Sequence, residues 1–230
     1  MTPKELVERM VILLGKAGAV PSTKNGKIVY TPTQTWGGIW VFIRYADKNC
    51  TLWRNLVYNF ISVLLPTSKR FIPLECMECW KVVVRPESYD ELLELKGLME
   101  DMDFPSKLGV ETRPDVDALY GAYFYDGSLE EGLKKLDIVR FGLTGTKMKA
   151  ILKRGCSEYE HDFGPSNDWH IIDGQEDIEA EVKKTIELDN YHSPQSIREV
   201  ERIMEGWETF ANRFGPVYKG THDYKTYEEI

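Results

Sequence analysis

Cys76-Met77-Glu78-Cys79 is the segment whose residue types and spacing point most directly to chemistry. Two thiolates separated by two residues can reach one metal ion from a tight turn, the spacing that zinc and iron–sulfur sites use. Two ligands do not complete a site. The chain has four cysteines, so the remaining thiols are Cys50 and Cys156, and His161 follows Cys156 by five positions. Cys50, Cys76, Cys79 and Cys156 make an all-cysteine set. Replacing Cys50 by His161 makes a set of three cysteines and one histidine. Zinc in a structural role is the expected metal, because nothing beside the cysteines resembles an open catalytic position. An iron–sulfur cluster is the alternative and implies a redox protein. Unliganded buried thiols are the plain reading of the same residues. A redox dithiol is disfavoured. Activated pairs sit at a helix N-terminus, whereas Cys79 runs into the strand-like Trp80-Lys81-Val82-Val83-Val84. Lys81 and Arg70 nevertheless supply positive charge close by in sequence.

Other groups carry weaker signals. Glu111-Thr112-Arg113-Pro114-Asp115-Val116-Asp117 places carboxylates near a strand end, where they can bind a hard metal or act as general base; an ordinary solvated turn with a surface ion pair is the favoured reading. Glu158 and His161 lie in a polar stretch and can form an acid–base pair. Cys156 and His161 as nucleophile and base are poorly spaced if the segment is helical. Gly142-Leu143-Thr144-Gly145-Thr146-Lys147 lacks the glycine spacing of a phosphate loop and reads as a helix stop and turn. Trp36, Trp40, Trp53 and Tyr58 lie among Arg44, Lys48 and Arg54, a mixture that can stack on and neutralise single-stranded nucleic acid.

Charge argues against that last reading. The chain of 230 residues has a formal net charge of −8. Residues 1–86 hold 12 Lys/Arg against 5 Asp/Glu, and residues 87–230 hold 17 against 32. The two parts are expected to neutralise one another, and the acidic part to repel phosphates, so nucleic acid is disfavoured as a partner. The acidic helical C-terminal part offers a protein partner instead, as an adaptor with no metal. The sequence leaves open whether the chain is an enzyme. Its composition, 42% hydrophobic and 29% charged, is that of a globular chain. The N-terminal apolar run Met10–Leu14 follows Glu5 and Glu8, so an amphipathic helix is expected there instead of a signal peptide. Leu56–Leu65 ends at Pro66 and is too short to span a bilayer. These features predict a soluble, cytoplasmic protein with reduced thiols and no membrane partner.

The elements that must position the cysteines follow from periodicity and punctuation. An amphipathic helix is predicted from Pro3, with Leu6, Met10, Leu13 and Leu14 on one face. Strands are predicted over 27–31 and 39–45, then a helix from Thr51 to Leu65. Trp80–Arg85 reads as a strand, and Ser88-Tyr89-Asp90-Glu91 as a capping box opening a helix to Met102. Gly109–Arg113 and Leu119–Tyr125 are expected strands, Ser128–Glu131 is a second capping box, and Met148–Lys153 is a final strand. This order is β-α-β-β-α-β, so the fold class is α+β with a ferredoxin-like split middle, an N-terminal helix and strand extension, and an acidic helical C-terminal part. Helices are expected over 177–188 and from Ser193 to about Gly215. The organisation expected is a basic segment 1–75, an α+β core 76–155 and an acidic segment 156–230, packed as one compact unit. In such a sheet the first and last strands are antiparallel neighbours. The end of the last strand therefore meets the start of the first, which brings Cys156 toward Cys79.

Overall fold

The computed structural model describes residues 1–16, 22–24, 26–30, 39–44, 53–112, 116, 118–188 and 195–214. Helices and strands are mixed, with antiparallel pairing dominant, and the class is α+β. The chain forms two compact units, each threaded through three segments: residues 1–35, 48–77 and 167–192 in one, and 36–47, 78–166 and 193–230 in the other. No helix among the described residues is long and apolar enough to cross a membrane.

The first unit contains α1 (Pro3–Lys16), β1 (Ser22–Lys24), β2 (Lys27–Tyr30), α2 (Arg54–Ile61, wound as a π-helix), α3 (Leu74–Met77), α7 (Gln175–Thr185) and β8 (Ile186–Leu188). β1 and β2 form an antiparallel hairpin, and β8 adds in parallel to β2. Leu6, Val7 and Met10 of α1 pack with Leu56, Val57 and Ile61 of α2 and with Val182 and Ile186. A buried carboxylate crosses this core: Glu179 accepts from Trp53 Nε1 at 3.2 Å, Leu74 N at 3.0 Å and Gln175 Nε2 at 2.9 Å. Burial raises its pKa, opposed by those three bonds and by Lys183.

The second unit is a five-stranded antiparallel sheet in the order β3-β5-β6-β4-β7. Its strands are β3 (Trp40–Arg44), β4 (Trp80–Val84), β5 (Ser106–Val110), β6 (Tyr120–Asp126) and β7 (Ala150–Arg154). α4 (Tyr89–Met102) and α5 (Leu129–Gly142) begin at the two capping boxes. Ser88 Oγ accepts from Glu91 N at 3.1 Å, and Ser128 Oγ accepts from Glu131 N at 3.3 Å. Each cap contributes about 1 kcal/mol. Leu92, Leu95 and Met99 of α4 and Leu136 and Val139 of α5 join one apolar core. That core takes Val82 and Val84, Leu108 and Val110, Ala122 and Phe124, and Leu152 from alternate strand positions, so both helices cover the same sheet face. α8 (Ile197–Phe214) lies beside α4 over β3 and β5, burying Ile203 and Trp207. α6 (Ser157–Phe163) follows β7 directly.

Several boundaries move from the sequence expectation. The strand expected over 109–113 is Ser106–Val110. The helix expected over 177–188 stops at Thr185, and Ile186–Leu188 instead pairs with β2. The polar stretch after Cys156, to which the sequence assigns no element, contains α6.

Candidate functional site

The sheet face of the second unit opposite α4 and α5 carries several polar side chains. Alternation puts Lys81 and Val83 of β4, Lys107 and Gly109 of β5, Gly121, Tyr123 and Tyr125 of β6, and Ile151 and Lys153 of β7 on it. Lys81, Tyr123 and Lys153 are 4%, 2% and 0% exposed, so these are structural positions for groups that normally face water.

One end of this face is built on a glycine pair. Gly109 and Gly121 are partners across β5 and β6. A Cβ on Gly121 would strike the Arg85 guanidinium and the Tyr123 ring, and one on Gly109 would strike the Ile39 carbonyl and the Trp40 ring. Glycine here lets those side chains lie on the sheet. Arg85 Nη1 donates to Tyr123 Oη at 2.8 Å, and Tyr123 Oη donates to Glu111 Oε2 at 2.6 Å. Glu111 is fully buried, and Arg85 Nη1 stands 3.9 Å from its Oε2. Trp40 meets Tyr123 edge-on at 5.6 Å, and Lys107 Nζ lies 4.3 Å from the Trp40 ring. The arrangement joins a cation, a phenol and a carboxylate in one hydrogen-bonded series.

Cys79 and Cys156 belong to the other end. β4 and β7 pair with Trp80 opposite Arg154, and Gly155 N donates to the Cys79 carbonyl at 2.7 Å. Gly155 adopts φ 64°, turning the chain so that Cys156 becomes the residue preceding α6. Cys79 and Cys156 therefore lie at the same strand end, and both are half-buried. Lys81 Nζ donates to Cys156 Sγ at 3.5 Å. Lys81 is also the cross-strand partner of Lys153. Lys153 pairs with Glu160 Oε2 from α6, and Ser166 Oγ donates to Glu160 Oε1 at 3.4 Å. Burial lowers the Lys153 pKa to about 8; Lys81 adds to the effect, while Glu160 and Cys156 oppose it.

The other residues singled out in the sequence are distributed differently. Cys76 is buried in α3, the last element of the first unit before the chain enters the second. Cys50 lies outside the described residues, as do Trp36, Lys48, Arg113, Pro114, Asp115 and Asp117. His161 is on the exposed side of α6, with Nδ1 2.9 Å from Asp162 Oδ1. Among the described residues no three His, Cys, Asp or Glu side chains are gathered as metal ligands. Trp53 is a core residue of the first unit. Over Gly142–Lys147 α5 ends at Gly142 and the chain turns, with Thr146 Oγ1 donating to the Leu143 carbonyl.

Sequence reasoning missed Lys153, Tyr123 and Arg85. The available signal was a lysine set inside a strand of otherwise apolar, β-prone residues, as in Ala150-Ile151-Leu152-Lys153. Comparison with known protein families, curated proteins and solved structures finds no match to this chain.

Proposed function

We propose that the protein is a cysteine-ligated metal-binding α+β protein of the cytoplasm, with zinc in a structural role. The observation that carries this reading is the Gly155–Cys79 backbone bond, which brings two thiols 77 positions apart in the chain to one strand end. Two thiolates are half of a tetrahedral zinc set. Cys76, three residues before Cys79, and Cys50 are the other thiols in the chain, and His161 is the histidine closest in sequence to Cys156. Because no third ligand is gathered among the described residues, metal binding on this reading draws further ligands in and orders the strand end. The free energy of binding then adds to that of folding. Lys81, donating to Cys156 Sγ, is placed to orient that sulfur and to offset the negative charge of a thiolate-rich site.

The strand order β5-β6-β4-β7, with α4 and α5 on one face, supports a ferredoxin-like split β-α-β-β-α-β arrangement in which β3 is added beyond β5. Such a frame accommodates many functions, so the reading rests on the thiols and not on topology. The test is metal analysis of anaerobically purified protein together with a visible spectrum. One zinc in a colourless protein supports the proposal. A brown protein with broad absorption replaces zinc by an iron–sulfur cluster. A chain that holds no metal, even after zinc is added under reducing conditions, overturns the metal reading and moves weight to an adaptor that binds a protein partner.

A further inference from the structure

Among the described residues β3 is the edge strand of the five-stranded sheet, paired with β5 alone, with Val41 opposite Leu108. An edge strand presents main-chain donors and acceptors that another strand can pair with. Here one side-chain amide takes that place. Gln195 Oε1 accepts from Phe42 N at 2.8 Å, and Gln195 Nε2 donates to the Trp40 carbonyl at 2.9 Å. One amide accepting from residue 42 and donating to residue 40 repeats what a single residue of a neighbouring parallel strand does, and it occupies the same outward main-chain groups that any added strand would need. Twelve residues further on, Trp207 Nε1 donates to the Ile39 carbonyl at 2.7 Å, and Trp207 is 1% exposed. Gln195 and α8 thus satisfy three main-chain groups along 39–42 with side chains.

We infer that Gln195 is a built-in block on strand addition at β3, and that its removal turns this edge into a self-association surface for a second copy of the chain. The strand itself favours that occupant. Trp40-Val41-Phe42-Ile43-Arg44 is β-branched and aromatic with one charge, a composition suited to pairing. Two identical strands meeting antiparallel are related by a two-fold axis, so one patch complements itself and the assembly closes as a dimer.

The test compares full-length wild type with Gln195→Ala by light scattering over a dilution series and by amide hydrogen exchange at Phe42. The expected result is a concentration-dependent mass increase in Gln195→Ala. At dilutions where it stays monomeric, Phe42 should exchange about fivefold faster than in wild type, the scale of one hydrogen bond. Adding Phe42→Pro, which removes the outward N–H that a sixth strand needs, should return the mass to that of wild type. If Gln195→Ala does not fold, Gln195→Met replaces it under the same criteria, since it keeps the side-chain length and loses both the acceptor for Phe42 N and the donor to the Trp40 carbonyl. An unchanged mass overturns the inference, whether or not Phe42 exchanges faster. So does association that persists in the Phe42→Pro double variant, because it would not run through this edge.

Discussion

Lys81 Nζ stands 3.5 Å from Cys156 Sγ across 75 positions of sequence. The contact depends on the β4–β7 register, Lys81 opposite Lys153 and Trp80 opposite Arg154. A slip of one residue would send Lys81 to the helix-covered face and Trp80 to the other. The apolar side chains of Val82, Val84 and Leu152 prevent that slip, because each is 0% exposed in the core beneath α4 and α5. The packing of one face thereby fixes the chemistry of the other.

The glycine pair should respond unequally to substitution. At Gly121 the added methyl meets the Arg85 guanidinium, the movable end of a long side chain, together with the Tyr123 ring. At Gly109 it meets the Ile39 carbonyl, which is main chain. Gly109→Ala should therefore cost about 3 kcal/mol and Gly121→Ala about 1 kcal/mol, the two ends of the usual range for overpacking. Urea denaturation of both variants measures this. Equal losses would mean that β3 yields as readily as the arginine.

Glu179→Gln should destabilise the first unit although it removes a buried charge. The carboxylate's three partners, Trp53 Nε1, Leu74 N and Gln175 Nε2, are all donors. A glutamine amide must turn its own N–H₂ toward one of them. The loss should be about 1–3 kcal/mol, the cost of an unsatisfied buried donor. Denaturation followed by tryptophan fluorescence reads it, and a variant as stable as wild type would contradict the network.

Lys153 gives a pH dependence of defined sign. Its pKa falls from 10.5 to about 8 on folding, so between those values the unfolded chain binds more protons than the folded one. Stability supplied by this group therefore rises as pH increases through that window. Relative to Lys153→Met, wild type should gain about 2 kcal/mol between pH 8 and pH 10, with other titrations cancelling in the difference. A difference that is flat or falls over that range would show that Lys153 is not held in a strongly desolvating environment.

Much of the second unit was legible because its signals are local. Trp80–Val84 reads as a buried strand, and Ser88 and Ser128 announce helices that begin one residue later. The approach of Cys156 to Cys79 followed from antiparallel adjacency alone, and the Gly155–Cys79 bond has that form. Other features depend on tertiary partners that no local pattern encodes. Ser106-Lys107-Leu108-Gly109-Val110 has a lysine and a glycine in a strand, and its place is set by pairing with both β3 and β6. Ile186–Leu188 continues a helical apolar pattern but is taken by β2. α6 has seven residues, four of them charged or histidine, and is held by buried Tyr159 and the Lys153–Glu160 pair. The passage of the chain back and forth between two units leaves no local mark either.

Cys79→Ser should lose bound zinc and thermal stability together, since the metal's binding free energy contributes to folding. With a strong chelator present, wild type and variant should melt at nearly the same temperature. A stability loss that persists unchanged under chelation would assign Cys79 to packing alone.

The most direct measurement is zinc-edge X-ray absorption on the anaerobically purified full-length protein, wild type beside Cys79→Ser and Cys156→Ser. A shared site predicts one zinc with sulfur neighbours at about 2.3 Å in wild type, and fewer sulfur neighbours or no metal in each variant. Absence of metal from wild type, or an unchanged sulfur shell in either variant, would contradict a site formed by these two cysteines.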